Sequence, residues 1–218
     1  PVHFKTPHDA LQAGISMIHQ EINLIPTVSV GENIWIGREN KFTKAGIIST
    51  KKRNQAAQDL LDRLGIEIDA KETVRNLSVA NMQLVELARS VSYDSDIIIM
   101  DEPTSSLSDN EIELLYKIVR ELSRNGTSVI FISHKLEEIF EVCDRVTVMR
   151  DGQYISDHDT AAITQPELVT KIAGREIKDL FPKQETTPGD VVLEVKNFCS
   201  GKTFQDVNFS VRKGEILG

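Results

Sequence analysis

Cysteine is scarce in this 218-residue chain, and Cys143 and Cys199 are its only two. Two thiols build neither a disulfide framework nor a metal quartet, a usage that fits a reducing compartment. Positive charge is also in deficit, with 25 Lys and Arg against 33 Asp and Glu and a net charge of −8. A sequence-independent nucleic-acid binder needs a basic face to neutralise phosphates, so that class is excluded. Long apolar runs are missing: Ile97–Met100, among the longest, is far too short to cross a bilayer. Within these residues no charged leader precedes an apolar stretch. The first residue is Pro1 rather than Met, so we expect further chain ahead of it. What is present is ordinary for a globular protein, 40% hydrophobic and 27% charged, enough for one domain or for one plus part of another.

Apolar runs alternate with helical periods, the pattern of an α/β layer architecture. A short helix over His8–Ala13 leads to a strand at Ile15–Ile18, and a loop at Asn23–Thr27 precedes Val30–Ile36. Lys51–Leu64 is predicted helical, with Ala57, Leu60, Leu61 and Leu64 on one stripe and Gly65 as its stop. Val79–Val91 is a second helix facing inward through Leu84, Leu87, Ala88 and Val91. Asp109–Arg124 is a third, through Ile112, Leu115, Val119 and Leu122. Ile97–Met100 and Ser128–Ile132 read as buried strands, the first apolar enough to be covered on both faces. Lys135–Glu141 is a short helix, Arg145–Arg150 a strand, and Asp151-Gly152 a turn to a hairpin partner at Gln153–Ser156.

Composition changes after Gly174. Residues 177–190 hold Pro182, Pro188 and Gly189 among mixed charges and carry no period, which reads as a linker. Val191–Phe198 and Asp206–Val211 alternate like strands, and Glu215–Gly218 starts another. So short a β segment cannot build a core alone. It is either an edge extension of the first domain or the opening of a second.

Chemistry collects at strand ends. Ile97–Glu102 is an apolar strand ending in two adjacent carboxylates, at the edge where α/β sheets bind ligands. There one acidic group can hold magnesium and its neighbour can polarise an attacking water, or the pair simply opens a solvated loop. Ser78 stands at the start of the second helix, where free N–H groups and a hydroxyl make an anion site, although most serine N-caps bind nothing. His134 follows the strand Ser128–Ile132 and can hydrogen-bond a phosphate or orient water, or be no more than a polar terminus. Gln20, past the strand Ile15–Ile18, can coordinate magnesium or cap a turn. The remaining histidines, His3, His8, His19 and His158, form no cluster.

In this order the features resemble the ATP-binding cassette (ABC) ATPases, from Ile15 to Arg175. Gln20 falls at the Q-loop, and Leu77, Ser78, Val79, Ala80 and Asn81 at the signature motif. Ile97–Glu102 falls at Walker B, Thr104–Ser108 with Ser106 at the D-loop, and His134 at the switch histidine. Ile15–Arg38, Ile98–Leu107, Ser133–Glu138 and Arg150–Gln153 are similar to the tandem-cassette ATPases of bacterial monosaccharide importers. The resemblance implies a P-loop NTPase-like α/β cassette with a helical signature subdomain over about residues 38–92. It implies ATP and Mg2+ as cofactors, with Glu102 as general base, His134 on the γ-phosphate, and Asp101 and Gln20 near the magnesium. Leu77, Ser78, Val79, Ala80, Asn81 and Ser106 would touch nucleotide. Implied partners are transmembrane permease subunits, through them a periplasmic sugar-binding protein, and a second cassette, with no nucleic acid. The implied place is the cytoplasmic face of the bacterial inner membrane. The implied cargo is galactose or methyl galactoside, with a ribose- or xylose-type importer and a soluble nucleotide-dependent regulator as alternatives.

Three departures stand out. The common signature Leu-Ser-Gly-Gly-Gln is Leu77-Ser78-Val79-Ala80-Asn81 here, so Cβ atoms limit how closely the backbone meets a nucleotide. The usual D-loop Asp is Ser108. No Gly-x-x-x-x-Gly-Lys-Ser/Thr phosphate loop occurs, and Gly201-Lys202-Thr203 imitates only its end, between two strands. We therefore expect residues 1–176 to be a first nucleotide-binding domain without its Walker A strand and helix. Residues 177–190 would be a linker and 191–218 the opening strands of a second such domain. The chain would be a piece lying between two phosphate loops, inactive alone.

Overall fold

Short polar side chains start the helices. Thr6, Ser29 and Ser108 each join a carboxylate three residues on, at Asp9, Glu32 and Glu111, in reciprocal capping boxes. Ser49 and Ser78 accept the N–H of Lys52 and Asn81 in the same way. The computed structural model describes residues 2–44, 46–174, 188–201 and 203–217. Its contacts divide into two units, Pro1–Ile172 and Ala173–Gly218, and each is described by itself.

The first unit runs α1 (Pro7–Gln12), β1 (Ile15–Ile18), α2 (Val30–Trp35), β2 (Thr43–Lys44), β3 (Ile47–Ile48), α3 (Thr50–Leu64) and α4 (Val79–Val91). It continues with β4 (Ile97–Asp101), α5 (Asp109–Arg124), β5 (Ser128–Ile132), α6 (Leu136–Val142), β6 (Arg145–Arg150), β7 (Gln153–Asp159) and α7 (Gln165–Ala173). The apolar stripes predicted for α3 and α4 are buried, with Ala57, Leu61 and Ala88 all at 0% exposure. Gly65 ends α3 in the left-handed region at φ 71°, as a glycine stop does. The segment after Asn23–Thr27 is helical, and Gly31 lets α2 approach closely: a Cβ there would stand 3.0 Å from Asn54 Oδ1 and 3.1 Å from the Ala70 carbonyl. Asp151 and Gly152, both at positive φ, make the tight turn between β6 and β7.

The site rests on a parallel sheet ordered β1-β4-β5. Ser16, Ile18, Ile98, Met100, Val129 and Phe131 share one of its faces by register and pack into the core with α4 and α5. A buried contact between Ser16 Oγ and Ser90 Oγ at 2.9 Å ties β1 to α4. The other face departs from the expectation of a doubly covered sheet. Met17, Ile130 and Ile132 are 40%, 50% and 45% exposed there, because the helices packed on the sheet lie on the Ser16 face. Hydrophobic composition reports that a strand can be buried, not how many layers meet it.

In the second unit β8 (Val191–Ser200) pairs antiparallel with β9 (Phe204–Arg212) in a two-stranded sheet of their own. The expected linker falls mostly on residues outside those described, as does Lys202. Its last residues do take part in structure: Gly189 donates to the Lys213 carbonyl and Lys213 to the Asp190 carbonyl, both at 2.9 Å. Glu215–Leu217 is not a strand, contrary to expectation, since no described strand is there to pair with it; Gly218 lies outside the described residues. Gly201 and Thr203 sit in the β8–β9 connection, not at a helix start.

Candidate active site

Parallel pairing sets the site. Ile18 of β1 is level with Met100 of β4, so two residues further on Gln20 and Glu102 leave the sheet at the same height. Asp101 is level with Ile132 of β5, which brings Ser133 and His134 to the same carboxyl edge. There Gln20 Nε2 donates to Glu102 Oε2 at 3.1 Å. His134 Nδ1 lies 3.0 Å from Glu102 Oε1. An ionised carboxylate only accepts, so Nδ1 carries the proton in this contact and Nε2 faces outward without a partner among the described residues. The Glu102 side chain is 28% exposed and that of His134 68%, which leaves the pair open to a ligand.

Glu102 is held in an uncommon backbone state, with φ at 46°. A non-glycine residue there costs of order 1 kcal/mol and persists only where its surroundings over-determine it. The Glu102 N–H donates to the Ile132 carbonyl at 3.0 Å, one step past the β4–β5 ladder, and the Glu102 carbonyl accepts from Ser105 at 3.3 Å. The chain thus turns sharply at the carboxylate that Gln20 and His134 bracket. Asp101, beside it, makes no side-chain hydrogen bond or ion pair among the described residues.

The other sequence candidates lie on different elements. Ser78 is exposed at the start of α4, its hydroxyl accepting from Asn81 N–H at 3.1 Å. Leu77 packs against the core, while Val79 is 54% exposed and Ala80 half-buried. Ser106 is exposed in the loop between β4 and α5. No described hydrogen bond connects Leu77, Ser78, Val79, Ala80, Asn81 or Ser106 with Glu102. Structure therefore gathers Gln20, Asp101, Glu102 and His134 on one edge and leaves the signature residues at the start of α4.

Three residues that periodicity did not single out hold these loops. Asn33, 1% exposed on α2, accepts from Ile25 N–H at 2.7 Å and donates to the carbonyls of Ile25 and Ser29. Glu86 on α4 accepts from Asn23 N–H at 2.9 Å. Glu138 on α6, 4% exposed, accepts from Thr104 and Ser133. Their signal was a polar residue at a core-facing helical position, which burial tolerates only when hydrogen-bonded. Among the described residues no group of three or more His, Cys, Asp or Glu side chains could cage a metal. Any cation at Asp101 would need a ligand's oxygens to complete its shell. No helix is long and apolar enough to cross a membrane.

A family model described as ABC transporter matches residues 2–105. The chain is 47% identical over 218 residues to a ribose/galactose/methyl galactoside import ATP-binding protein of Burkholderia cenocepacia, aligning all of this chain and 41% of that protein. It is 47% identical over 217 residues to a protein of the same description from Rhizobium etli, covering 42% of it. The chain thus spans about two fifths of the length of the curated relatives it matches. Among solved structures, a nucleotide-free ATP-binding cassette from an ABC transporter aligns at TM-score 0.63 and 23% identity, over 77% of this chain and 71% of that one. A dimeric post-hydrolysis cassette bound to ADP and Pi aligns at 0.60 and 23%, over 72% and 68%. At such identities these structures establish the fold alone.

Proposed function

We propose that the chain is an ABC transporter ATP-binding cassette and that it carries the hydrolytic edge of a sugar-import ATPase. One observation carries the reading: Glu102, in a strained turn at the end of a parallel strand, has its carboxylate held between the Gln20 amide and the His134 imidazole. In the proposed reaction water attacks the γ-phosphorus of ATP, the bond from that phosphorus to the β–γ bridging oxygen breaks with its electron pair leaving on ADP, and Glu102 takes up the proton that water loses. Oε1 and Oε2 each already accept a hydrogen bond, so the carboxylate is oriented before water arrives. With Nδ1 donating to Glu102, His134 leaves Nε2 free, and in the imidazolium form, with a proton on each nitrogen, it can donate to the γ-phosphate. The Asp101 carboxylate and the Gln20 amide oxygen, whose Nε2 is committed to Glu102, are hard donors that fit Mg2+. An ion held by these two side chains would supply positive charge against the negative charge that develops on the phosphates.

We assign the start of α4, at Leu77, Ser78, Val79, Ala80 and Asn81, to a nucleotide held by an opposing cassette, with Ser106 at the junction. Val79 and Ala80 offer N–H groups that have no partner among the described residues, next to the Ser78 hydroxyl. Partners on this reading are permease subunits and, through them, a periplasmic sugar-binding protein, with the cassettes peripheral on the cytoplasmic face of the inner membrane. The relatives' names group ribose with galactose and methyl galactoside, so the proposed cargo is a monosaccharide of that set.

Glu102→Gln in the full-length protein is the test. It keeps the shape and one acceptor oxygen but removes the charge that accepts a proton. ATP binding should persist while hydrolysis falls about 10²-fold or more. Unchanged turnover would show that Glu102 is not the base.

A further inference from the structure

Glu138 touches neither Glu102 nor His134, yet it is bonded to the loop that carries each. Its Oε1 accepts from Thr104 Oγ1 at 2.6 Å, and Thr104 lies two residues past Glu102. Its Oε2 accepts from Ser133 Oγ at 2.7 Å, and Ser133 immediately precedes His134. Lys135 Nζ is 3.2 Å from Oε1, and Lys135 N–H donates to Ser133 Oγ at 3.0 Å. Glu138 and Thr104 are 4% and 3% exposed, so water does not compete for these bonds. Burial alone would push the Glu138 carboxyl up, but hydrogen bonds from Thr104, Ser133 and Lys135 hold it below the usual carboxylate range. It is therefore an anion that draws two donors from two different strand-end loops onto one carboxylate.

That link matters because of the backbone at Glu102. Its φ of 46° relaxes unless the chain is held on both sides. On the amino side the Glu102 N–H is fixed to the Ile132 carbonyl. On the carboxyl side the Ser105 N–H donates to the Glu102 carbonyl, and Thr104 is tied to Glu138. We propose that Glu138 is a positioning residue, which clamps the loops after β4 and β5 so that the Glu102 carboxylate and His134 Nδ1 stay in register for hydrolysis. The inference rests on the reading of Glu102 as the base. Misplacing a reacting group by about 1 Å costs up to 10²-fold in rate, so loss of the clamp should lower turnover without loosening nucleotide.

The experiment is steady-state ATPase kinetics of the full-length protein with wild type, Glu102→Gln, Glu138→Ala and Glu138→Gln side by side. Glu138→Ala should lower kcat about 10-fold or more and leave KM for Mg-ATP within about 3-fold. Glu138→Gln keeps an acceptor for Thr104 and offers an amide that Ser133 Oγ can accept, so it should recover most of that loss. In the Glu102→Gln background Glu138→Ala should remove less than about 2-fold more, because a clamp acting through Glu102 has nothing left to position. Should Glu138→Ala fail to fold, Thr104→Val and Ser133→Ala each cut a single tie and should show the same split of kcat from KM. Wild-type kcat in Glu138→Ala, or an equal loss in both backgrounds, overturns the inference while the base assignment stands. Wild-type turnover in Glu102→Gln overturns the proposed function and this inference with it.

Discussion

The backbone N–H of Asn23 is held by the carboxylate of Glu86 at 2.9 Å, across 63 residues of chain. Arg89 completes the grip by donating to the Asn23 carbonyl at 3.1 Å. Asn23 lies three residues past Gln20, and Glu86 and Arg89 belong to α4, the helix that starts at Ser78. A shift at the proposed catalytic edge is thereby linked to the helix whose start is proposed to serve another nucleotide. Glu86→Ala should speed amide hydrogen exchange at Asn23 about 10-fold or more, while amides of β4 keep their protection. Exchange at Asn23 unchanged by the substitution would show that Glu86 does not hold this loop.

Glu102 stores strain that a smaller residue would release. Glu102→Gly removes the Cβ that disfavours φ 46°, at the cost of bonds to Gln20 and His134 on a partly exposed surface. We expect stability no lower than wild type and up to about 1 kcal/mol higher, with hydrolysis lost in the full-length protein. Thermal melting of the two proteins decides it: a clear fall in Tm would mean that the turn is not strained.

The edge was legible where period and chemistry coincide. Apolar strands ending at Met100 and Ile132 announce their own carboxyl ends, so Asp101, Glu102 and His134 could be named together from spacing. The stripes of α3 and α4 were equally plain, since one face of each meets a continuous core. Asn33, Glu86 and Glu138 showed only as polar residues on helices and their roles were not legible, because each has a partner 8 to 63 positions away. The open sheet face was also hidden: Ile130 and Ile132 look the same in sequence whether or not a layer covers them.

Alkaline pH should destabilise the fold through Tyr116. Burial first, then the negative charge of Glu138, Glu141 and Glu113, pushes its hydroxyl up from 10.0 to about 12. The folded chain keeps that proton where the unfolded chain has lost it, so stability is whole below pH 10 and declines as pH rises from 10 to 12. The contribution is about 3 kcal/mol at most. Denaturant unfolding at stepped pH should give Tyr116→Phe a shallower alkaline loss than wild type; parallel curves would refute the assignment.

The two thiols should separate in reactivity. Cys199 is exposed, whereas burial and then Asp144 push the Cys143 thiol up to about 11. At pH 8 only about one Cys143 in 10³ is thiolate, the form that attacks a disulfide reagent. Labelling with a chromogenic disulfide should show one fast equivalent from Cys199 and a much slower second from the half-buried Cys143. Two equal fast phases would contradict the burial of Cys143.

Nucleotide affinity of these 218 residues is the last expectation, and it runs against that of the longer relatives. Holding a triphosphate takes a cradle of backbone N–H groups and a lysine that meets the β- and γ-phosphates. No such motif occurs in the sequence, and Gly201 and Thr203 lie between β8 and β9 instead. The edge that is present carries Asp101 and Glu102, and the net charge is −8, so a tetra-anionic nucleotide meets repulsion. Magnesium does not reverse this: without phosphate oxygens to share, Asp101 and Gln20 supply too few donors to retain it. Calorimetric titration with Mg-ATP should therefore show no saturable binding below about millimolar concentration, and no phosphate should be released. A micromolar dissociation constant would mean that the strand-end carboxylates and the α4 start bind ATP by themselves, and the division of labour proposed here would be wrong.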